Sequence, residues 1–276
     1  MISIKAFVKS FSLIKNLTTL VFMVFNLSHK TSLITGAGSS NGIGFASAKF
    51  LQSMGSKVFI TGKSERIKDR AKELNCPFFI ADLTKEDEVK NLINKVKNEL
   101  GSLDVLVNNA GMTSVIDELG SESGNIENTS LDKFISSVER NLVSAFLVTK
   151  ESLELLKKSK SPRVIMITSI TGPFMAMKNE VSYASSKAGL AGLTRSLALD
   201  FAKDNILVNA IAPGWIATDS QTENEKNAGL KTPLKRSAKP EEIASLVGYL
   251  ASDEAGYMTG QVIAVDGGNS IQEERN

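Results

Sequence analysis

A regular alternation of short apolar runs and longer helical patterns limits the fold of this chain more than any other feature. From Lys30 onward, each run of β-branched and apolar residues is followed by a stretch with helical periodicity. Continuous apolar runs of this length are typical of parallel strands that are buried on both faces. The seven predicted strands cover Thr31 to Thr35, Lys57 to Thr61, Phe78 to Ala81, Val105 to Asn108, Arg163 to Thr168, Leu207 to Ala212 and Val262 to Val265.

Helical patterns lie between these strands. They cover Gly42 to Met54, Ser64 to Leu74, Lys85 to Leu100, Ser130 to Lys158, Ser182 to Lys203 and Pro240 to Ala251. Because parallel strands are joined by right-handed crossovers, the repetition predicts a doubly wound α/β Rossmann fold, with a single seven-stranded parallel sheet flanked by helices. Ligands bind beyond the carboxyl ends of the strands in such a sheet, so we expect the functional residues there.

The first 29 residues lie outside this alternation. Lys5, Lys9 and Lys15 precede an apolar run from Leu17 to Leu27, an arrangement that resembles a secretory signal in outline. The run is much shorter than the roughly 20 apolar residues of a membrane span, and no Ala-x-Ala cleavage site follows it. We expect residues 1–29 to form a poorly ordered extension, with attachment to a membrane surface or targeting as alternatives, and residues 30–276 to form one domain.

Composition excludes several classes of function. The chain has 32 Lys and Arg against 30 Asp and Glu, a net charge of +2 that is too balanced for the basic surface that nucleic-acid binding usually needs. Cys76 is the only cysteine, so the chain forms no internal disulfide and no paired-cysteine zinc site. His29 is the only histidine, which leaves little room for a serine–histidine–aspartate triad or a multi-histidine metal centre. We therefore expect neither a metal nor a nucleic acid as a ligand.

A glycine-rich turn directly follows the first predicted strand and reads Thr-Gly-Ala-Gly-Ser-Ser-Asn-Gly-Ile-Gly from Thr35 to Gly44. Glycines let the backbone turn tightly and approach a pyrophosphate, whose charge is then stabilised by amide N–H groups and the helix dipole. A tight turn without a ligand is the alternative, but the position at the first strand–helix junction favours a dinucleotide. The expected contacts in this turn are Gly36, Gly38, Ser39, Ser40, Gly42, Ile43 and Gly44.

Further candidate cofactor contacts follow the third, fourth and sixth strands. A carboxylate after the third strand suits the amino group of adenine, small residues and amides after the fourth suit a ribose, and Pro-Gly after the sixth lies beside the expected nicotinamide position. The expected contacts at these strand ends are Asp82, Leu83, Asn109, Ala110, Gly111, Pro213, Gly214, Trp215, Ile216 and Thr218.

The end of the second strand carries Lys63, where a carboxylate is expected in proteins that bind both ribose hydroxyls of NAD. A carboxylate repels the 2′-phosphate of NADP and an ammonium attracts it, so the sequence predicts NADP(H) rather than NAD(H) as the cofactor. The hydroxyls of Ser39, Ser40 and Ser64 are expected to help bind this 2′-phosphate. Under the alternative, in which Lys63 is a solvated surface lysine, NAD(H) would serve.

Tyr183 and Lys187 lie four residues apart at the start of a predicted helix and therefore share a helical face. A free tyrosine hydroxyl has a pKa of about 10, but a nearby ammonium stabilises the phenolate and lowers that pKa. Tyr183 can then donate a proton to a carbonyl oxygen as hydride arrives, or accept one from an alcohol. Such a pair is more often an exposed helix pair when taken alone, and its place beside the predicted cofactor site favours catalysis.

Ser169 and Asn141 complete the candidate catalytic set. Ser169 follows the fifth strand, so its hydroxyl would emerge at the cofactor edge and hold a substrate carbonyl against Tyr183; a simple turn residue is the alternative. Asn141 lies inside a long predicted helix, where asparagine is a poor helix former. An opened backbone there would hold a water that links Lys187 to solvent, whereas a buried and satisfied asparagine is the alternative.

Taken in chain order, the glycine turn, Asp82, the run from Asn108 to Gly111, Asn141, Ser169, Tyr183, Lys187, Pro213-Gly214 and the stretch from Val265 to Gly268 resemble the short-chain dehydrogenase/reductase family. The resemblance covers roughly Lys30 to Ile271. It implies that Tyr183 transfers the proton and that Lys187 lowers its pKa and binds the nicotinamide ribose. It also implies that Ser169 orients the carbonyl, that Asn141 supports the proton relay and that the enzyme is a homotetramer built through its long helices.

Four segments depart from the pattern of that family. The step from Gly36 to Gly42 is six residues rather than four, so the phosphate loop is enlarged. The segment from Met112 to Ser130 is longer than usual and is expected to border the substrate, while the charged segment from Thr218 to Lys231 is shorter than the usual substrate lid. Pro173 to Met177 is expected to form an apolar wall between Ser169 and Tyr183.

The overall pattern is most similar to that of the 3-oxoacyl-(acyl carrier protein) reductases, which implies an NADPH-dependent carbonyl reductase in the cytoplasm, where NADPH is made. An acidic acyl carrier protein would dock on a basic rim. The expected rim is Lys157, Lys158, Lys160, Lys226, Lys231, Lys235 and Arg236. The alternatives are a sugar, polyol or steroid-like alcohol dehydrogenase with the same site, and a non-catalytic NADP-sensing protein.

Overall fold

Seven parallel strands form one sheet in the order β3-β2-β1-β4-β5-β6-β7. The computed structural model describes residues 25–111 and 123–273 of the chain. The strands are β1 (Thr31–Ile34), β2 (Lys57–Gly62), β3 (Phe78–Ile80), β4 (Val105–Asn108), β5 (Arg163–Ile167), β6 (Leu207–Pro213) and β7 (Val262–Val265). The order runs outward in both directions from β1 and β4, so a crevice lies between these two strands at the carboxyl edge. The predicted doubly wound fold is confirmed.

Helices connect the strands as the sequence predicts, with one interruption and one addition. They are α1 (Ile43–Ser53), α2 (Arg66–Leu74), α3 (Glu86–Leu100), α4 (Leu131–Val138), α5 (Ser144–Leu156), α6 (Val181–Asp200), α7 (Glu223–Gly229) and α8 (Pro240–Ala251). The predicted long helix from Ser130 to Lys158 is interrupted by a π-helical turn at Glu139–Val143, which separates α4 from α5. The short helix α7 lies in the charged segment from Thr218 to Lys231, for which no helix was predicted.

Two apolar clusters cover the two faces of the sheet. Successive strand residues point to opposite faces, so Leu33 belongs to one cluster and Ile34 to the other. The cluster around Leu33 packs against α3, α5 and α6, and the cluster around Ile34 packs against α1, α2 and α8. Burial on both faces explains the continuous apolar runs of the inner strands, whereas the edge strands β3 and β7 are partly exposed.

The folded domain begins before Lys30. Leu27 is fully buried in the cluster that contains α1 and α8, and its N–H donates to the carbonyl of Met54 at 2.9 Å. The ring of Phe25 packs edge-on against Tyr249, with 5.8 Å between ring centroids. The predicted boundary between residues 29 and 30 is therefore too late, because burial of an apolar side chain orders this irregular backbone.

The rest of the apolar run from Leu17, and the part of the long loop that spans residues 112–122, lie outside the described residues. Within the described ranges, no helix combines the length and apolar character that a membrane crossing requires.

We expect Leu27→Ala to lower the free energy of unfolding by about 2–5 kcal/mol, because it removes a fully buried side chain and leaves a cavity. Urea denaturation followed by circular dichroism measures the change. Leu234→Ala is the matched control, since Leu234 is exposed and its loss should change stability by less than about 0.5 kcal/mol. Equal effects of the two substitutions would contradict the assignment of Leu27 to the core.

Candidate active site at the carboxyl edge of the sheet

A cleft of about 920 Å³ opens at the carboxyl edge of the sheet. Parallel strands all end at this edge, so residues far apart in the chain meet there. Among the predicted cofactor residues, those that line the cleft are Gly36, Gly38, Ser39, Gly42, Ile43, Lys63, Asp82, Leu83, Asn109, Ala110, Gly111, Pro213, Gly214, Trp215, Ile216 and Thr218. Ser169, Tyr183 and Lys187 line it as well. Three predicted site residues, Ser40, Gly44 and Asn141, are not among the lining residues.

The glycine turn is held against the end of β4 by Asn109 and Thr35. The side-chain amide of Asn109 donates to the carbonyls of Thr35 and Gly36, each at 3.0 Å. In return, the Thr35 hydroxyl accepts the N–H groups of Asn109 at 3.0 Å and Ala110 at 2.9 Å. Thr35 was not predicted as a site residue, although it begins the glycine turn. These bonds fix the floor of the crevice before any ligand binds.

Gly44 serves the packing of α1 against the glycine turn. It is buried in the first turn of α1, and a Cβ at this position would lie 2.6 Å from the carbonyl oxygen of Gly36. Gly36 has a φ of +68°, in the region that favours glycine. The lack of a side chain at Gly44 lets α1 approach the turn, and the predicted contact of Gly44 with the cofactor stays a prediction.

Ser40 is directed to a carboxylate instead of to the cleft. Its hydroxyl donates to Asp219 Oδ2 at 3.0 Å, and the hydroxyl of Ser39 donates to the same oxygen at 2.8 Å. The backbone N–H of Asn41 is a third donor to that oxygen, at 3.1 Å. The extra residues of the enlarged loop thus contact the segment after β6, 178 to 180 positions away in the chain, and no sequence pattern predicts this contact.

Lys63 pairs with Asp82 across the adenosine end of the cleft. Lys63 Nζ lies 2.9 Å from Asp82 Oδ2, and Thr84 donates its hydroxyl and its N–H to the other carboxylate oxygen. Burial by itself raises the pKa of Asp82, but the hydrogen bonds from Lys63 and Thr84 outweigh it and lower that pKa below its ordinary value. Lys63 is therefore neither an isolated cation nor a lysine contacted only by solvent.

Arg66 is a second cation at this end of the cleft that the sequence analysis missed. It lines the cleft, and its Nε donates to the hydroxyl of Ser64 at 3.3 Å. A signal for it was present in the sequence, since Arg66 follows Lys63 by three residues at the start of a predicted helix.

Lys187 is buried beneath Tyr183. Its Nζ lies 5.6 Å from the centroid of the Tyr183 ring and donates to the carbonyl of Ile167 at 3.1 Å. Only 2% of its surface is exposed, and this burial lowers the pKa of Lys187 to about 8. The hydroxyl of Thr168 donates to the carbonyl of Lys187 at 2.8 Å, so the end of β5 is fastened to α6. The predicted neighbourhood of the two side chains is confirmed.

Ser169 lies at the other side of this arrangement, at the edge where β5 ends. It is nearly buried, and its hydroxyl accepts the N–H of Thr171 at 3.1 Å. The loop that follows comes close to α6 at Gly172, where a Cβ would lie 2.4 Å from the carbonyl oxygen of Ala184. This close approach brings the loop after Ser169 against α6, and Ser169, Tyr183 and Lys187 all line the cleft.

Asn141 lies behind the cleft, within the π-helical turn between α4 and α5. It is fully buried, and its side-chain amide donates to the carbonyl of Ser137 at 3.1 Å. Gly111, with a φ of +128°, lets the end of β4 approach it, because a Cβ there would lie 2.8 Å from Asn141 Oδ1. A π-helical turn opens the helix backbone, as the asparagine suggested, and such turns are frequent at functional sites. The role of Asn141 in a water relay stays a prediction.

The substrate end of the cleft combines apolar and polar side chains. Met175 and Met177 line it, whereas Phe174 of the predicted apolar wall is half exposed and is not among the lining residues. Ser123, at the end of the long loop, donates to Glu180 Oε1 at 2.6 Å, and both residues line the cleft. The described end of that loop therefore borders the cleft as expected.

The segment after β6 covers the same end. Its lining residues are Thr218, Ser220, Gln221, Thr222, Asn224 and Glu225. Helix α7 begins here with a capping box, in which the Thr222 hydroxyl accepts the N–H of Glu225 and the Glu225 carboxylate accepts the N–H of Thr222. A Thr-x-x-Glu pattern predicts such a helix start, so the sequence contained the signal.

The predicted basic rim is divided between two edges of the sheet. Lys157, Lys158 and Lys160 precede β5 and therefore lie at the amino edge, opposite the cleft. Lys157 pairs with Asp204 at 3.4 Å and Lys158 with Glu154 at 2.6 Å. The prediction that these three lysines border the site is wrong, because parallel strands carry their two ends to opposite edges.

Comparisons with known proteins agree with this geometry. A family model described as enoyl-(acyl carrier protein) reductase matches residues 36–270. The chain is 38% identical to the 3-oxoacyl-(acyl carrier protein) reductase FabG of Aquifex aeolicus over 257 residues, which are 89% of this chain and 99% of that protein. It is 39% identical to the enzyme of the same name from Rickettsia felis over 252 residues, which are 89% and 98% of the two chains.

Among solved structures, the ligand-free aldohexose dehydrogenase of Thermoplasma acidophilum matches with a TM-score of 0.79 and 32% identity. The match covers 90% of this chain and 96% of that one. Both the relatives and the cleft residues point to oxidoreductases that use a nicotinamide dinucleotide. The chain belongs to the short-chain dehydrogenase/reductase family.

Proposed function

We propose that the protein is an NADP(H)-dependent carbonyl reductase that converts a 3-oxoacyl thioester into the 3-hydroxyacyl thioester. The observation that carries the proposal is the buried Lys187 beneath Tyr183, next to Ser169, in a cleft whose other end has the features of a dinucleotide site. The names of the FabG relatives support the thioester substrate. A protein that only senses NADP would have no use for this arrangement.

The residues of the cleft fit a dinucleotide. Gly36, Gly38 and Gly42 leave the backbone of the turn accessible along one wall, at the start of a helix where an anionic pyrophosphate is stabilised. Lys63 and Arg66 supply positive charge at the adenosine end of the cleft. When bound, the nicotinamide supplies or accepts the hydride.

The chain itself would supply the proton and orient the carbonyl. The Tyr183 hydroxyl donates its proton to the carbonyl oxygen during reduction and takes it back in the reverse direction. The Lys187 ammonium, held by the Ile167 carbonyl, stabilises the phenolate that forms. The Ser169 hydroxyl donates a hydrogen bond to the same carbonyl oxygen and stabilises its developing charge.

The preference for NADP(H) rests on two cations. Lys63 shares its charge with Asp82, so its attraction for a 2′-phosphate is reduced, and Arg66 adds a guanidinium suited to bidentate phosphate contacts. Among the described residues that line this end of the cleft, these two cations face one carboxylate, Asp82, while the nearby Glu88 accepts the Asp82 N–H at 2.7 Å.

Sugar or polyol oxidation is the second candidate function. Ser123, Glu180 and Gln221 place hydroxyl, carboxylate and amide groups along the substrate end of the cleft, where they would bind a polyhydroxylated substrate. The structural similarity to an aldohexose dehydrogenase supports it.

The assembly and the partner follow from the same proposal. Leu131, Phe146 and Leu199 are exposed on α4, α5 and α6, the helices through which the expected homotetramer would form. An acyl carrier protein would dock on the basic residues that follow β6 in the chain, among them the exposed Lys231 and Lys235. The need for NADPH favours the cytoplasm as the location of the enzyme.

A screen of substrates tests the reaction. We expect acetoacetyl thioesters to be reduced with a kcat/KM at least about tenfold above those of quinones and cyclic ketones, because the site binds the carbonyl and the thioester arm together. The absorbance of NADPH measures turnover, and acetoacetyl groups on coenzyme A and on acyl carrier protein are compared. Crotonyl thioesters test reduction of a double bond. Oxidation of aldohexoses without reduction of acetoacetyl thioesters would favour the second candidate.

We expect Tyr183→Phe to lower kcat by at least about a hundredfold, the usual contribution of a general acid, while NADPH still binds. Steady-state kinetics measure kcat, and fluorescence titration measures binding of NADPH. Tyr257→Phe is the matched control because Tyr257 is fully exposed. Unchanged turnover of Tyr183→Phe would refute the role of the hydroxyl and restore the sensing alternative.

The charge of Lys187 predicts a pH dependence. Because burial lowers its pKa to about 8, Lys187 is protonated below that pH and becomes neutral as the pH rises through it. We expect kcat/KM for NADPH, which reports the free enzyme, to be constant at lower pH and to fall above about pH 8. A profile that stays flat to pH 10 would contradict this, and Lys187→Met should abolish the inflection.

We expect Lys63→Ala and Arg66→Ala each to lower kcat/KM for NADPH by about tenfold, because each removes a charge-assisted contact to the 2′-phosphate. The kcat/KM for NADH should fall less in both variants. It should fall least in Arg66→Ala, because this substitution leaves the ion pair between Lys63 and Asp82 intact. Lys68→Ala is the control, since Lys68 pairs with Glu65 outside the cleft. An unaltered enzyme with a higher kcat/KM for NADH than for NADPH would overturn the cofactor assignment.

A further inference from the structure

The carboxylate of Asp219 joins the two walls of the cofactor cleft. It accepts hydrogen bonds from the hydroxyls of Ser39 and Ser40 and from the N–H of Asn41, at 2.8, 3.0 and 3.1 Å. A fourth hydrogen bond runs beside these, from the side-chain amide of Asn41 to the carbonyl of Ala217 at 2.9 Å. Four hydrogen bonds thus connect the glycine turn to the segment that follows β6.

The connection depends on the enlarged glycine turn. The step from Gly36 to Gly42 is two residues longer than the family pattern, and the donors to Asp219 all belong to this step. Hydrogen bonds from Ser39, Ser40 and Asn41 lower the pKa of Asp219, so the carboxyl stays charged at neutral pH. The acceptor is therefore an anion, and hydrogen bonds to anions are stronger than those between neutral groups.

The two connected segments belong to opposite parts of the cofactor site. Gly38, Ser39 and Gly42 line the cleft on the side of the turn, where a pyrophosphate is expected. Ile216 and Thr218 line it on the side of β6, next to the expected nicotinamide position. Ala217 is held further by its N–H, which donates to the carbonyl of Ala238 at 2.8 Å. The hydrogen bonds to Asp219 therefore connect the glycine turn to the segment that follows β6.

We propose that Asp219 is a positioning residue for the dinucleotide: its carboxylate fastens the Ala217–Thr218 segment to the enlarged glycine turn and thereby slows release of the bound cofactor. The inference rests on the proposed use of a dinucleotide and is independent of which carbonyl compound is the substrate.

The charge of Asp219 and its hydrogen bonds would change the dissociation rate of NADPH in opposite directions. Asp219 is negative and lies next to the loop that would bind the phosphates of the cofactor, so its charge alone opposes binding of an anionic ligand. If charge were its only effect, loss of the carboxylate would slow dissociation of NADPH. If it fastens the two walls, loss of the carboxylate would accelerate dissociation.

The experiment measures the dissociation rate of NADPH from the full-length protein by stopped-flow fluorescence, with excess NADP⁺ as the displacing ligand. We expect Asp219→Ala to raise this rate by about tenfold, given the usual strength of hydrogen bonds to a charged group. Ser40→Ala should raise it in the same direction by a smaller factor, because it removes one donor to Asp219, leaves the charge and alters no residue that lines the cleft. Glu223→Ala is the control, since Glu223 lies in the same segment and pairs only locally with Lys226.

A second measurement separates positioning from a general loss of structure. Amide hydrogen exchange of the cofactor-free protein should accelerate in the glycine turn and around Ala217 in Asp219→Ala, while the melting temperature changes by less than about 2 °C. A dissociation rate that is unchanged or slower in Asp219→Ala, or exchange that stays the same, overturns the proposal. If the unaltered protein binds neither NADPH nor NADH, this inference and the proposed function both fail; if it binds only NADH, the cofactor assignment fails and the dissociation rate is measured with NADH and NAD⁺. If it binds NADPH but reduces no ketone, only the proposed function fails.

Discussion

The active site depends on one buried ammonium. Taking Lys187 out of water is costly, and the cost is met by the Ile167 carbonyl and by the face of the Tyr183 ring. The Tyr183 ring lies on the same helix as Lys187, but the Ile167 carbonyl is available only because α6 lies across the end of β5. The hydrogen bond from Thr168 to the Lys187 carbonyl and the close approach at Gly172 hold it there. The packing of α6 on β5 that would suit proton transfer thus also lowers the free-energy cost of burying the lysine.

The other half of the site depends on the crevice between β1 and β4. Here the Asn109 amide and the Thr35 hydroxyl satisfy the backbone groups of the glycine turn, so the turn keeps its shape without a ligand. A preorganised turn loses little freedom when a pyrophosphate binds. The contacts of Asp219 extend the same principle from the turn to the opposite wall of the cleft.

The strands and most of the site were predictable because their signals are local. The inner strands are almost wholly buried and the edge strands β3 and β7 are partly exposed, and the limits of all seven agree with the predicted ones to within one residue. The end of β5 indicates Ser169, and the four-residue spacing on one helical face indicates Tyr183 and Lys187; all three residues line the cleft. The exceptions have physical causes. Asn141 opens the helix into a π-helical turn, and Leu27 enters the core although its neighbours form no regular structure.

The sequence alone determined the parallel sheet, the edge that carries the cleft and the types of side chain that line it, because periodicity and spacing act over a few residues. Only the tertiary structure decided which polar groups pair across the chain. Lys63 meets Asp82, and Ser40 meets Asp219 rather than a ligand. These pairs form because segments that are distant in the chain pack together. Their free energy depends on both segments at once, so no pattern of a few neighbouring residues predicts them.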